Sequence, residues 1–157
     1  MILVIDILVQ GYGTKMSSII IPKNIIESFL DHAQNDYPYE CCGFILGEFK
    51  ENSSTALKYI PVENIKKENR ERRFLIDPLV YEKAEDEADK HKLSIISIIH
   101  SHPNHPDRPS DFDRNHAWPG FSYIIISVIN GKSQSFKSWQ LDTDRMFFIE
   151  EKINIIN

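Results

Sequence analysis

Cysteines and long apolar runs are scarce in this chain, and basic residues are outnumbered by acidic ones. Only two of its 157 residues are cysteine, the adjacent Cys41 and Cys42. Neighbouring cysteines cannot build a disulfide framework, so the sequence points to a reducing compartment such as the cytoplasm. No stretch approaches the ~20 apolar residues that a membrane-spanning helix requires. The apolar residues 1–9 are interrupted by Asp6 and lack a basic start and a small-residue cleavage site, so they do not read as a signal peptide. Eighteen Lys and Arg stand against 23 Asp and Glu, a formal charge of −5. Such a chain has no global attraction for nucleic acid or for an anionic membrane surface. The apolar content of 41% excludes a disordered chain, and the length excludes barrel enzymes that need ~250 residues. A chain of ~150 residues buries roughly 70% of its unfolded surface, enough for one domain without covalent staples.

The periodicity predicts a compact α/β unit with no internal repeat and no linker. Residues 18–21 read as a strand ended by Pro22. Ile25, Ile26, Phe29, Leu30 and Ala33 share one helical face, which predicts a helix over 23–35. A buried strand follows from Cys42 to Phe49, with Gly43 and Gly47 marking close approach of another backbone. A further strand covers 55–62. The charge-mixed residues 63–73 read as a solvated loop. Asp77-Pro78 is a helix start, with Val80, Ala84 and Ala88 on one side of a helix running to about His91. Leu93 to Ile99 and Phe121 to Ile129 are apolar enough to be central strands covered on both faces. A short helix near 110–116 lies in the proline-rich loop between them. Asn130-Gly131 signals a hairpin, and strands near 133–141 and 145–151 complete the chain. Residues 1–15 read either as a leader or as an extra edge strand, with the domain proper at 16–157.

Four of the six histidines, His100, His102, His105 and His116, fall within seventeen residues, together with Asp107, Asp111 and Asp113. Such clustering marks a candidate metal site. His100 and His102 stand at i and i+2 at the end of a strand, so their imidazoles share a face. Ser110-x-x-Asp113 is an ordinary capping arrangement at a helix start, and one that would orient the Asp113 carboxylate firmly. Two neutral histidines and one carboxylate leave zinc a fourth position for water, the pattern of a catalytic rather than a structural site. Glu40, before Cys41-Cys42-Gly43, is a candidate proton acceptor for that water, although alone it reads more readily as an exposed strand-end charge. His105 reads as a rim residue of the loop, His116 as a surface or supporting residue, and Asp107 and Asp111 as solvated or cap-related.

Taken jointly, Glu40, His100-Ser101-His102-Pro103, the seven residues from Pro103 to Pro109, and Ser110-x-x-Asp113 resemble the JAMM motif of MPN-domain metallopeptidases. Tyr37-Pro38-Tyr39-Glu40-Cys41-Cys42-Gly43 and Pro119-Gly120-Phe121-Ser122-Tyr123 resemble the small free-standing bacterial members. The resemblance spans roughly residues 18–150. It implies a single MPN domain, a curved mixed β-sheet flanked by helices with a cytidine-deaminase-like architecture. It also implies one zinc per chain on His100, His102 and Asp113, with Glu40 as general base and Ser110 as oxyanion partner. Ser101 would support the geometry. The implied activity is hydrolysis of a peptide or isopeptide bond at the C-terminal Gly-Gly region of a ubiquitin-like or sulfur-carrier protein. A non-catalytic MPN-type scaffold is the alternative, and such scaffolds typically lack ligands that this chain retains. A zinc deaminase would need a Pro-Cys-x-x-Cys pair that the chain does not have.

Overall fold

The computed structural model describes residues 17–157, so the leader or edge strand expected at 1–15 lies outside the described residues. The elements in chain order are β1 (Ser18–Pro22), α1 (Lys23–Asp36), β2 (Cys42–Lys50), β3 (Ser53–Val62), α2 (Pro78–Lys90), β4 (Ser94–Pro103), α3 (Asp111–His116), β5 (Ser122–Ile129), β6 (Lys132–Leu141) and β7 (Phe148–Ile156). The sheet runs β1-β3-β2-β4-β5-β6-β7 and closes on itself through a parallel β1–β7 pair. β1–β3 and β4–β5 are also parallel and the remaining pairs antiparallel, so the sheet is mixed, as expected. Its closure is not an expectation the local pattern carried. It depends on Ser18–Pro22 meeting Lys152–Ile156 across the whole chain length.

Two apolar layers cover the two faces of the central strands. Ile25, Ile26, Phe29 and Ala33 of α1 pack with Ile45, Ile96, Ile99, Ile124 and Ile126. Tyr81, Ala84 and Ala88 of α2 pack with Phe44, Leu46, Val62 and Ile95. This double coverage is why β4 and β5 are apolar at nearly every position instead of alternating. On α2 it is Tyr81, rather than the expected Val80, that joins Ala84 and Ala88 in full burial. Asp77 caps this helix as expected, its side chain accepting from the Leu79 amide at 2.9 Å.

The glycine signals hold. A β-carbon on Gly47 would stand 2.0 Å from the Thr55 carbonyl oxygen of the neighbouring strand, so only glycine allows the two backbones this close. At the β5–β6 hairpin Asn130 and Gly131 take φ values of 50° and 80°, the doubly positive turn that this dipeptide favours. The last strand begins three residues later than the pattern suggests and runs five further. Asp142 Oδ1 accepts from the amides of Met146 (2.7 Å) and Phe147 (2.9 Å), which holds 142–147 in a turn. Among the described residues no helix is long and apolar enough to cross a membrane.

One buried carboxylate lies away from the helices. Glu151 of β7 is 5% exposed and accepts from Ser138 Oγ (2.6 Å), Ser17 Oγ (3.0 Å) and Gln140 Nε2 (3.0 Å). Burial raises its pKa above the ordinary carboxylate range, and the serine hydroxyls pull it partly back. A group whose folded pKa is raised contributes stability at low pH and loses it as pH rises through the folded value. Glu151→Gln is therefore expected to match or exceed wild-type thermal stability at pH 7. It is also expected to remove the decline in stability between pH 4.5 and neutrality, measured by melting curves across that range.

Candidate metal centre

The site stands where β4 leaves the sheet. His100 and His102 lie on the same face of its last turns of extended chain, and both are buried. His100 is registered opposite Cys42 on antiparallel β2. The pairing continues beyond the strand: the Ser101 amide donates to the Cys41 carbonyl at 3.1 Å, and the Cys41 amide donates to Ser101 Oγ at 2.8 Å. Ser101 thus ties the two strand ends together, the supporting role expected of it. Glu40, two residues before Cys42, lines the same pocket as His102. This register closes the gap of 60 residues that sequence alone could not close.

Asp113 comes from α3. Its carboxylate accepts from the Ser110 amide at 2.7 Å, and Ser110 Oγ accepts from the Asp113 amide at 3.1 Å, a complete capping box. Ser110 Oγ also donates to Asp113 Oδ2 at 2.8 Å. The capping expected of Ser-x-x-Asp is present, and it aims the Asp113 carboxylate at the two imidazoles. His100 Nε2 lies 3.2 Å from Asp113 Oδ1, His102 Nε2 lies 3.3 Å from Oδ2, and the two Nε2 atoms are 3.1 Å apart.

These spacings suit a small divalent cation. Tetrahedral ligands at about 2.0–2.1 Å from zinc stand about 3.3–3.4 Å from one another. His102 Nδ1 lies 2.8 Å from the Pro106 carbonyl, which only accepts, so Nδ1 carries the hydrogen. In the neutral ring, Nε2 then presents a lone pair to a carboxylate 3.3 Å away. Two acceptors face each other stably only with a positive charge between them, a proton or a metal ion. The pKa shifts express the same demand. Burial acts to lower His102, but Asp113 outweighs it and holds the imidazole above its ordinary value. Burial acts to raise Asp113, but His100, His102 and the Ser110 amide hold it far below the usual carboxylate range. His100, His102 and Asp113 form the one such ligand grouping among the described residues.

Glu40 is 5% exposed and shares a pocket with His102, His105, Arg72, Arg73 and Ser110. Burial raises its pKa, while His100 and His102 lower it and Asp113 raises it. A carboxylate lifted toward neutrality takes up and returns a proton more readily than a solvated one.

The remaining candidates divide. His105 reaches the rim of this pocket, as expected. His116 is exposed and stacks on Phe112 at 4.0 Å, a surface residue. Asp111 is exposed and pairs with Arg114 at 3.5 Å. Asp107 is a correction. It is 7% exposed rather than solvated, and its backbone carbonyl accepts from Trp139 Nε1 at 3.0 Å. Cys41 and Cys42 are buried and outside the ligand grouping, and burial pushes the Cys41 thiol up to about 12. They are inert core residues.

Residues 63–73 form a mostly exposed loop without helix or strand, as expected, and the one departure from that expectation is Asn64. Asn64 is 5% exposed and organises the segment. Its amide donates to the carbonyls of Glu40 (2.9 Å) and Arg73 (3.0 Å), and its Oδ1 accepts from the amides of Lys66 (3.0 Å) and Leu75 (3.1 Å). The Glu40 amide donates to the Arg70 carbonyl at 2.8 Å. Phe74 stacks on the His100 ring at 4.8 Å, and Arg73 lies 4.2 Å over Phe112. The lone polar-to-apolar change at Phe74-Leu75-Ile76 was the available signal that this segment returns to the core. Asn64→Ala is expected to leave two buried carbonyls and two amides short of a partner. The cost is about 2–3 kcal/mol of unfolding free energy in urea titration, with looser protection of the Glu40 amide in hydrogen exchange.

The family model for prokaryotic homologs of the JAB domain matches residues 22–142, and the chain belongs to that family. It is a small member of the JAMM/MPN class. It is 31% identical over 133 residues to the desampylase of Pyrococcus furiosus, covering 80% of this chain and 82% of that protein. It is 33% identical over 89 residues to the tail tip assembly protein K of Escherichia phage N15. That match takes in 57% of this chain and spans only 32% of the phage protein. Among solved structures, a protein of Desulfitobacterium hafniense superposes with a TM-score of 0.78 at 29% identity, covering 88% of this chain and 93% of that one. A JAB1/MPN domain protein of Archaeoglobus fulgidus shares the fold, with a TM-score of 0.55 at 15% identity over 87% of this chain and 98% of that one.

Proposed function

We propose that the protein is a zinc-dependent metallopeptidase, cytoplasmic, with its catalytic domain from residue 16 onward. Its reaction is hydrolysis of a peptide or isopeptide bond at the C-terminal Gly-Gly region of a ubiquitin-like or sulfur-carrier protein. The observation that carries the reading is the convergence of His100, His102 and Asp113 to within 3.1–3.3 Å beside the buried Glu40. Membership of the JAB family and similarity to a desampylase support the same class of chemistry. A partner-binding scaffold would have no use for a buried carboxylate next to three converging ligands.

Zinc held by His100, His102 and Asp113 would supply a Lewis acid that brings the pKa of water toward ~7 and polarises the scissile carbonyl. The protein's own residues do the rest. Pro106 fixes the tautomer and orientation of His102 through Nδ1. Glu40 accepts the proton of the attacking water and returns it to the leaving amine. Ser110 Oγ, which spends its hydrogen on Asp113 Oδ2 in the resting site, turns to donate to the developing oxyanion. One such donor is worth roughly 2.7–4 kcal/mol in other hydrolases. A Gly-Gly tail suits a narrow approach, since glycine alone lets backbone come this near.

The test is incubation of the zinc-loaded protein with Gly-Gly-ended carrier fusions and mass spectrometry of the products. A new chain ending at Gly-Gly, abolished by chelation and restored by zinc, is expected. Absence of cleavage with one zinc bound would falsify the assignment.

A further inference from the structure

A second cavity, about 440 Å³, opens between the end of α1 and the loop that follows β3. Its walls carry charge of both signs. On the α1 side, Tyr59 Oη lies 2.6 Å from His32 Nδ1, and His32 Nε2 lies 3.2 Å from Asp36 Oδ2. In the neutral ring Nε2 carries the hydrogen, because a carboxylate only accepts, and Nδ1 accepts from the Tyr59 hydroxyl. This relay holds the Asp36 carboxylate in one place. The last turn of α1 contains no basic residue, so the negative end of the helix dipole adds to Asp36 here. Glu63, on the loop side, adds a second exposed carboxylate. Arg70 supplies the opposite charge. Its guanidinium lies 4.4 Å over the Tyr39 ring, a contact that steadies it. Its Nε is buried without an acceptor, and it makes no ion pair among the described residues.

This charge pattern defines the ligand. Asp36 and Glu63 repel a phosphate or any other multiply charged anion, and Arg70 repels a polyamine. A molecule with one carboxylate and one ammonium group satisfies both signs. A free amino acid or a dipeptide holds both charges within one cavity, whereas a longer chain separates them by about 3.3–3.6 Å per added residue. Pro61 and Val62 add apolar surface for its side chain. We propose that this cavity binds a zwitterion of amino-acid to dipeptide size, carboxylate on Arg70 and ammonium at Asp36, and that its occupancy steadies Glu40. The link runs through the cavity wall. The Arg70 carbonyl accepts from the Glu40 amide at 2.8 Å, and Asn64, which also lines the cavity, donates to the Glu40 carbonyl at 2.9 Å. A ligand that pins Arg70 suppresses opening of these clamps. The consequence for turnover rests on the hydrolase reading above, while the binding does not.

The probe is alanyl-phenylalanine, with its N-acetyl and C-terminal amide forms, titrated calorimetrically into the zinc-loaded and the metal-free full chain. The zwitterion is expected to bind both protein forms equally, and about tenfold tighter than either blocked form. Arg70→Gln should weaken the zwitterion about tenfold and leave the amide form unchanged. Asp36→Asn should weaken the zwitterion likewise and leave the N-acetyl form unchanged. Binding to the zinc-loaded protein alone would put the dipeptide on the metal and overturn the proposal. Equal binding of the three probes, or no binding, would overturn it too, and these comparisons need only wild-type protein. The second readout is hydrogen exchange. At ligand ten times above Kd the Glu40 amide is expected to gain about tenfold protection; unchanged protection would overturn the link to Glu40. Failure to cleave any Gly-Gly fusion would sink the hydrolase reading and leave these binding results standing.

Discussion

Glu40→Gln is expected to keep one zinc per chain while turnover of a Gly-Gly-ended fusion falls by about 10²–10⁴-fold. The substitution preserves shape and removes only the ability to take a proton. The backbone of residue 40 stays anchored, because its amide donates to the Arg70 carbonyl at 2.8 Å and its carbonyl accepts from Asn64 at 2.9 Å. Neither bond involves the side chain. Burial penalises the ionised carboxylate here, so a neutral amide is no harder to accommodate, and melting temperature should hold or rise. Zinc content by mass spectrometry and single-turnover rates check the two halves. Full activity in this variant would remove Glu40 as the proton carrier.

Asp113→Ala should lose the metal and the activity together. It withdraws one of three ligands and the anion that faces both imidazoles. Loss of a supporting partner alone typically costs metal sites 10–100-fold, and removal of a ligand should exceed ~100-fold in zinc affinity. Turnover should then fall to the uncatalysed level at substoichiometric zinc. The substitution also breaks the capping box of α3, worth about 1 kcal/mol. Ser110→Ala provides the control, because it removes the hydroxyl half of that box and leaves the carboxylate in place. Zinc retained in Ser110→Ala and lost in Asp113→Ala assigns the effect to the ligand. Equal loss in both would mean that the cap, not the coordinating oxygen, governs the site.

The histidines and Asp113 were legible because their geometry is local. A strand repeats every two residues, so His100 and His102 had to share a face. A capping box links residues three positions apart, so Ser110 had to orient Asp113. Glu40 was legible only through resemblance to a family motif. Its approach to His102 comes from the β2–β4 register, in which Cys42 meets His100. Composition identifies residues 63–73 as a mostly solvated loop, and what it does not reveal is that Asn64 within it is buried. The buried hub, Asn64, is a single polar residue whose four hydrogen bonds are made to backbone groups up to 24 positions away.

Short-range chemistry in the chain thus determined the elements, the two apolar layers and the three candidate ligands, because turns, caps and periodicity act over a few residues. Tertiary structure alone decided that β1 and β7 close the sheet and that Glu40 shares a pocket with His102 and Ser110. Each of these depends on contacts between residues far apart in sequence, and composition holds no record of which distant residues will meet.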